Sequence, residues 1–256
     1  MKKTVLVTGA AEGTGYGIAR RFAKEGMNVC LTSRSEEKAK AAAGRLMQEF
    51  PDIEALGFSL EKADEKRIEE ILDSIEKKGF TLVNVVCNAA NQGIGQNSLT
   101  VSFDDWCAVI QANVFMHFLL MRCAAKRMIA SGTEGAMAVV GSNTMRRALP
   151  ERSAYCTSKG ALSSLVKGLA VDFAPYKIRV NYTAIGSIKT VRWDSLSEEV
   201  HEKRLERAPL RDVVLYEDVA NAVYFLCSDQ ARLITGTDLY VDAGVDAAFP
   251  CGSDNG

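Results

Sequence analysis

Tyr155 and Lys159 stand four residues apart, a spacing that puts both side chains on one face of a helix. That pair suggests proton transfer. A phenol titrates near 10 in water and must fall by about 3 units to exchange a proton at neutral pH, roughly 4 kcal/mol of differential stabilisation. An ammonium one turn away supplies an opposite charge to the phenolate. Tyr155 can then act as general acid or base towards a substrate oxygen within hydrogen-bond reach. Ser142, thirteen residues upstream at the end of an apolar run, is placed to hold the same oxygen. Tyr-x-x-x-Lys alone also occurs on solvated helix faces, so its weight depends on what surrounds it.

A second group lies near the N-terminus, in Thr8-Gly9-Ala10-Ala11-Glu12-Gly13-Thr14-Gly15. Glycines at 9, 13 and 15 allow a tight turn and close backbone approach, and the helix they open offers unpaired N–H groups to a diphosphate. Ser33-Arg34 follows the second apolar run. An acidic side chain there takes the 2′-hydroxyl of NAD. A guanidinium instead can pair bidentately with a 2′-phosphate, which favours NADP. Glu12 argues the other way if it points inward. After the fourth run, Asn88-Ala89-Ala90 is small enough for a ring or ribose to lie against the backbone, and Asn88 can equally tie neighbouring strands together.

The elements that must position these residues alternate along the chain. β-Branched or apolar runs at Thr4–Thr8, Asn28–Thr32, Glu54–Phe58, Val83–Cys87, Ala136–Gly141, Ile178–Thr183 and Asp238–Val241 read as strands, several buried on both faces. Helical patterns fill the gaps near Gly15–Glu25, Glu36–Glu49, Asp64–Lys77, Phe103–Ala130, Ser153–Phe173, Ser197–Glu206 and Glu217–Ser228, with Pro51 and Pro175 as stop signals. This alternation predicts an α/β fold: one doubly wound, Rossmann-type parallel sheet of about seven strands with helices on both faces. The single domain spans 1–256, with a charged, mobile lid at about 187–210. Ligands in such a sheet bind beyond the carboxyl ends of the strands, where the residues above sit.

Composition narrows the classes. Thirty-one basic against 32 acidic residues leave a net charge of −1, unlike the basic excess of a nucleic-acid binder. The uncharged run Trp106–Met121 is too short and polar to span a bilayer, and Lys2-Lys3 opens a strand rather than an export signal. Seven cysteines, an odd number with no Cys-x-x-Cys pair, point to a reducing, cytoplasmic setting. Two distant histidines leave no metal site; His117 reads as a satisfied core residue and His201 as a solvated one.

Together, Thr8-Gly9-x-x-x-Gly13-x-Gly15, Asn88-Ala89-Ala90, Ser142 and Tyr155-Cys-Thr-Ser-Lys159 resemble the classical short-chain dehydrogenase/reductase family, from Thr4 to about Gly244. Val180-Asn181-Tyr182-Thr183-Ala184-Ile185-Gly186, Thr190, Glu217-Asp218-Val219-Ala220 and Val241-Asp242-Ala243-Gly244 agree. The resemblance implies NAD(P)(H) as hydride carrier and an Asn113-Ser142-Tyr155-Lys159 catalytic set, with Asn113 holding a water in a relay to Lys159. It implies cofactor contacts from Gly9, Gly13, Thr14, Gly15, Ser33, Arg34, Asn88, Ala89, Tyr155, Lys159, Gly186 and Ile188, and a homodimer or homotetramer built on the two long helices. The sequence departs from the family at Cys87, Ala90, Ser59 (usually an Asp beside the adenine) and Ile185.

By the same resemblance three loops build the substrate pocket. They offer Asn91, Gln92 and Gln96; Asn143, Arg146, Arg147 and Arg152; and Lys189, Arg192 and Trp193. So many polar groups point to a small polar carbonyl or alcohol (sugar, polyol or hydroxy acid), neutral or anionic, with solvated rim arginines as the plainer alternative. The expected activity is NADP(H)-dependent hydride transfer. The alternatives are an NAD-linked enzyme, a 3-oxoacyl or hydroxysteroid reductase, or a dinucleotide sensor without turnover.

Overall fold

The computed structural model describes residues 2–189, 193 and 196–248. Seven strands form one parallel sheet: β1 (Lys3–Val7), β2 (Asn28–Ser33), β3 (Ala55–Ser59), β4 (Thr81–Cys87), β5 (Gly135–Val140), β6 (Ile178–Ile185) and β7 (Asp238–Val241), in the order β3-β2-β1-β4-β5-β6-β7. Every strand pair is parallel, as the strand–helix alternation predicts. Boundaries move by at most two residues. β3 ends on Ser59, which puts Ser59 in register with Ser33.

The two faces of the sheet explain the near-continuous apolar strands. Alternate residues point to opposite sides. Leu6, Val85, Cys87, Met137 and Val139 enter a core with α3 (Glu65–Lys77), α5 (Met116–Ala130) and α6 (Ser153–Phe173). Val5, Val7, Val86, Ala136, Ala138 and Val140 enter the other, with α1 (Gly13–Lys24), α2 (Glu36–Glu49) and α8 (Tyr216–Cys227). α4 (Phe103–Ile110) and α5 are joined by a π-helical turn, Gln111–Phe115. The uncharged run at Trp106–Met121 is thus part of a longer helix, Phe103–Ala130, long and apolar enough to cross a bilayer by length and composition. It lies against the sheet instead, with His117, Leu120, Met121 and Cys123 buried in the core. α7 (Glu198–Glu206) falls inside the expected lid. Thr190 and Arg192 lie outside the described residues.

Strand order reverses between β1 and β4. At that switch point the crossovers leave to opposite faces and open a crevice at the carboxyl ends.

Candidate active site

The crevice is walled by the glycine turn on one side and the end of β4 on the other. Gly9 and Gly13 hold φ of +61° and +58°, a region that favours glycine. A Cβ on Gly9 would lie 2.8 Å from Ala89 Cα, and one on Gly15 would lie 2.3 Å from the Gly9 carbonyl oxygen. Side chains lock the two strand ends together. Thr8 Oγ1 accepts from the Asn88 and Ala89 N–H groups at 2.9 and 3.0 Å. Asn88 Nδ2 donates to the Thr8 and Gly9 carbonyls at 3.0 and 3.1 Å. Asn88 is therefore the strand tie that its position suggested, and it also faces the crevice.

Gly9, Gly13, Thr14, Gly15, Ser33, Arg34, Asn88 and Ala89 all line one groove of about 1000 Å³. Its chemistry fits an anionic dinucleotide. Glu12 occupies the N-cap of α1 without capping it, and the first turn carries no acidic side chain. The helix's leading N–H groups thus have no side-chain acceptor from the cap, in a field that favours an anion. A Cβ on Gly13 would have the Tyr216 hydroxyl, 3.9 Å away, as its nearest neighbour, so Gly13 leaves that space open to the groove.

The far end is electrostatically mixed. Arg34 and Lys38 line it, both exposed, but so do Glu12 and Glu61. Lys38 is one helical turn beyond Arg34 and adds a cation that the Ser33-Arg34 pattern does not name. Arg45 reaches back to the glycine turn, donating to the Ala11 carbonyl at 2.7 Å with its guanidinium 4.6 Å from the Tyr16 ring centroid. Ser59 faces Arg67, whose Nε donates to the Ser59 carbonyl at 3.0 Å and Nη2 to its hydroxyl at 3.1 Å.

The proton-handling residues meet at a neighbouring pocket: Tyr155 lines it and Gln92 is shared with the groove, while Ser142, Tyr155 and Lys159 are not among the groove's own lining residues. Ser142 follows β5, while Tyr155 and Lys159 lie on the first turns of α6. Lys159 is 2% exposed. Its Nζ donates to the Val140 carbonyl at 3.1 Å and lies 5.5 Å from the Tyr155 ring centroid. Burial pushes its pKa down to about 8. The Tyr155 pKa is raised, chiefly by burial, with the Ser142 hydroxyl pulling it down. In the free chain the Lys159 ammonium stands by the ring, tied to a strand carbonyl.

Asn113 sits in the π turn and is fully buried. Its Nδ2 donates to the Asn91 carbonyl and the Ser158 hydroxyl, both at 2.9 Å, and its Oδ1 accepts from the Asn91 N–H at 2.7 Å. Ser158 in turn donates to the Tyr155 carbonyl at 2.7 Å. The side chain's work is thus to pin the loop after β4 against the Tyr155 turn.

Tyr182 escaped the sequence reading. It is fully buried on β6, its oxygen accepts from the Ser142 N–H at 2.9 Å, and it lies 3.2 and 3.3 Å from the Ser142 and Lys159 carbonyl oxygens. One hydroxyl therefore fixes both Ser142 and the Lys159 turn. A Cβ on Gly141 would overlap the Tyr182 ring. Tyr182 lies between the sequence's recognisable Val180-Asn181 and Gly186, and its partners are 40 and 23 residues away.

Gly186 and Ile188 are not among the residues facing the groove. Gly186 is required by packing, since a Cβ would lie 2.7 Å from Asp242 Cβ, and Ile188 pairs with Val214 in a parallel bridge. The three loop arginines are already engaged. Arg146 Nη1 meets Asp246 at 3.0 Å, and Arg147 Nη2 donates to the Asp246 and Ala248 carbonyls at 2.8 and 2.9 Å. Arg152 holds the Gln92 and Gly93 carbonyls at 3.1 and 2.8 Å. They clamp loops together, and the Arg146 side chain remains 66% exposed while paired. Asn143, in the same loop, accepts at its carbonyl from the Arg146 and Arg147 N–H groups. Trp193 is 7% exposed and stacked on His201, centroids 4.8 Å apart at 8°, with Arg204 over its ring. His201 is accordingly packed rather than solvated, its Nε2 2.7 Å from the Trp193 carbonyl oxygen. His117 is buried as expected but poorly satisfied: among the described residues neither ring nitrogen makes a well-aligned hydrogen bond, though the Asn113 and Ala89 backbone lies close enough to act on it.

A family model described as Enoyl-(Acyl carrier protein) reductase matches residues 9–246. The chain belongs to the classical short-chain dehydrogenase/reductase family. Among its relatives, Glucose 1-dehydrogenase 2 of Bacillus subtilis is 31% identical over 244 residues, covering 95% of this chain and 94% of that one. A 3-oxoacyl-acyl-carrier-protein reductase FabG of Rickettsia conorii is 34% identical over 245 residues, covering 95% and 96%. The acetoin dehydrogenase structure from Enterobacter cloacae superposes with a TM-score of 0.85 at 29% identity, covering 98% of each chain. This short-chain dehydrogenase/reductase is therefore an oxidoreductase of the nicotinamide-dependent class.

Proposed function

We propose that this enzyme is NADP(H)-dependent and interconverts a carbonyl and a secondary alcohol on a small polar, uncharged substrate such as a sugar or polyol. The observation that carries this reading is Tyr155, with Ser142 and buried Lys159 against it, at a pocket that shares Gln92 with a groove whose far end presents Arg34 and Lys38. The glycine turn and α1 N-terminus would hold the diphosphate, and Arg34 with Lys38 the 2′-phosphate. When bound, the nicotinamide supplies or takes up the hydride. Tyr155 gives its phenolic proton to the carbonyl oxygen, or takes it from the alcohol, and Ser142 orients that oxygen. Lys159, near its own titration point, stabilises the phenolate as its charge forms. The internal pairing of Arg146, Arg147 and Arg152 argues for a neutral substrate.

The burial of four of the cysteines, Cys30, Cys87, Cys123 and Cys227, supports a reducing compartment. Phe103, Phe115 and Val171, exposed along α4–α6, support a homo-oligomer through those helices. A second reading, NAD(H) dependence, is favoured by Glu12 and Glu61 in the groove.

Binding and turnover separate these readings. NADPH should bind about tenfold tighter than NADH, and Arg34→Ala should erase that margin of about 1.4 kcal/mol. Sugars, polyols and hydroxyketones should be turned over, and Tyr155→Phe should lower kcat by about 10²–10⁴-fold while cofactor binding survives. Equal or tighter NADH binding would favour the second reading. Turnover confined to apolar ketones or acyl thioesters would exclude the polar substrate.

A further inference from the structure

Tyr216 is the first residue of α8 and lines the same groove as the glycine turn. Its backbone is held from two directions. The Asp218 carboxylate accepts from the Leu215 N–H at 2.8 Å. Val214 accepts from the Lys189 N–H at 2.9 Å and pairs with Ile188. α8 packs along α1, so that Tyr216 Cβ would lie 3.3 Å from a Cβ on Gly17, while the hydroxyl would lie 3.9 Å from one on Gly13. The half-buried ring thus runs along the first turn of α1 and carries its oxygen to the uncapped end of that helix. The carboxylate nearest in sequence, Glu12, makes no capping bond there.

We propose that the Tyr216 hydroxyl is a cofactor-binding donor that closes the groove over the dinucleotide's diphosphate, adding an O–H···O bond to those offered by the α1 amides. The inference rests on the reading of this groove as the dinucleotide site. A phenol supplies one donor without a charge, and a bond to a charged oxygen is stronger than a neutral one. The anchored backbone and the contact with α1 place the ring before the ligand arrives, so little ordering opposes binding. The position also chooses between phosphates. Tyr216 meets the groove at Gly13, whereas Arg34 and Lys38 meet it at the end of β2 and the start of α2.

The test titrates NADPH and NADH onto the full chain by nicotinamide fluorescence, for wild type, Tyr216→Phe and Arg34→Ala. Tyr216→Phe keeps the ring and removes only the donor. It should weaken both nucleotides by the same factor of about ten, because they share the diphosphate, with an unchanged melting temperature. Arg34→Ala should weaken NADPH alone. Wild-type affinity for both nucleotides in Tyr216→Phe would overturn the proposal and leave the ring as a packing wall. Weakening of NADPH alone would overturn it too, by assigning the hydroxyl to the 2′-phosphate. Failure of the cofactor reading looks different: wild type then binds neither nucleotide, whereas an NADPH to NADH ratio unmoved in Arg34→Ala overturns the NADP preference alone.

Discussion

Lys159 carries an ionisable group where water scarcely reaches it. Its pKa of about 8, depressed by burial, has a consequence for stability as well as for chemistry. An unfolded lysine titrates near 10.4, so below pH 8 both states are protonated and the folded state bears the whole cost of the buried ammonium. Between pH 8 and about 10.4 the unfolded state binds more protons, and stability rises with pH as that cost is relieved. Lys159→Met should therefore melt at higher temperature than wild type at pH 7, by up to roughly 3 kcal/mol of added stability. The gap should close by about pH 10 while turnover is lost throughout. Denaturant melts at pH 7 and 10 check it, and a variant less stable than wild type at pH 7 would show that the bond to Val140 outweighs the burial cost. The same burial keeps Tyr155 protonated in the free chain, so the phenol reaches a working pKa only with charge that the bound state brings.

At the scale of elements, the π turn between α4 and α5 does two opposed things. It sets Asn113 where its contacts tighten the Tyr155 turn, and one turn later it places His117, fully buried, with only poorly aligned backbone contacts at Asn113 and Ala89 for its ring nitrogens. Burial, then the Lys159 charge, push the His117 pKa down to about 3, against the backbone of Asn113 and Ala89 pulling upward. The folded state thus binds fewer protons than the unfolded one between pH 6.5 and 3. His117's contribution is fully present above pH 6.5 and is lost as pH falls through that window. His117→Leu removes two poorly partnered nitrogens and should stabilise the protein at pH 7 by about 1 kcal/mol. It should also flatten the acid limb of the stability curve. Urea midpoints at pH 7 and 4.5 measure both; equal acid sensitivity in the two proteins would assign the limb to the paired carboxylates Glu36, Glu49 and Glu69, whose pKa values are lowered.

Across the whole molecule, what could be read from the sequence was what is contiguous. The glycine turn, Ser142, Tyr155-x-x-x-Lys159 and the strand periodicity are local patterns, and each sits where the alternation of elements places it. Tyr182, Tyr216 and Arg45 carry no local pattern of their own; their partners come from crossovers elsewhere in the sheet. Arg146 and Arg147 are alike in this, since their partner Asp246 is about a hundred residues downstream. That clamp joins the loop after β5 to the segment after β7. Asp242 shapes the segment, its carboxylate accepting from the Gly244 and Asp246 N–H groups at 3.0 and 2.8 Å, and Leu210 bonds to it through the Ala243 carbonyl. Arg147 holds the far end through two carbonyls. Neither residue lines the dinucleotide groove, so loosening the clamp should disturb substrate placement and spare cofactor binding. Arg147→Ala should raise the substrate KM by about five- to tenfold with a smaller change in kcat, the pattern of lost uniform binding. NADPH affinity should stay within about twofold, a few tenths of a kcal/mol. A matching loss of NADPH affinity would mean that the C-terminal segment braces the whole carboxyl edge of the sheet rather than the substrate side alone.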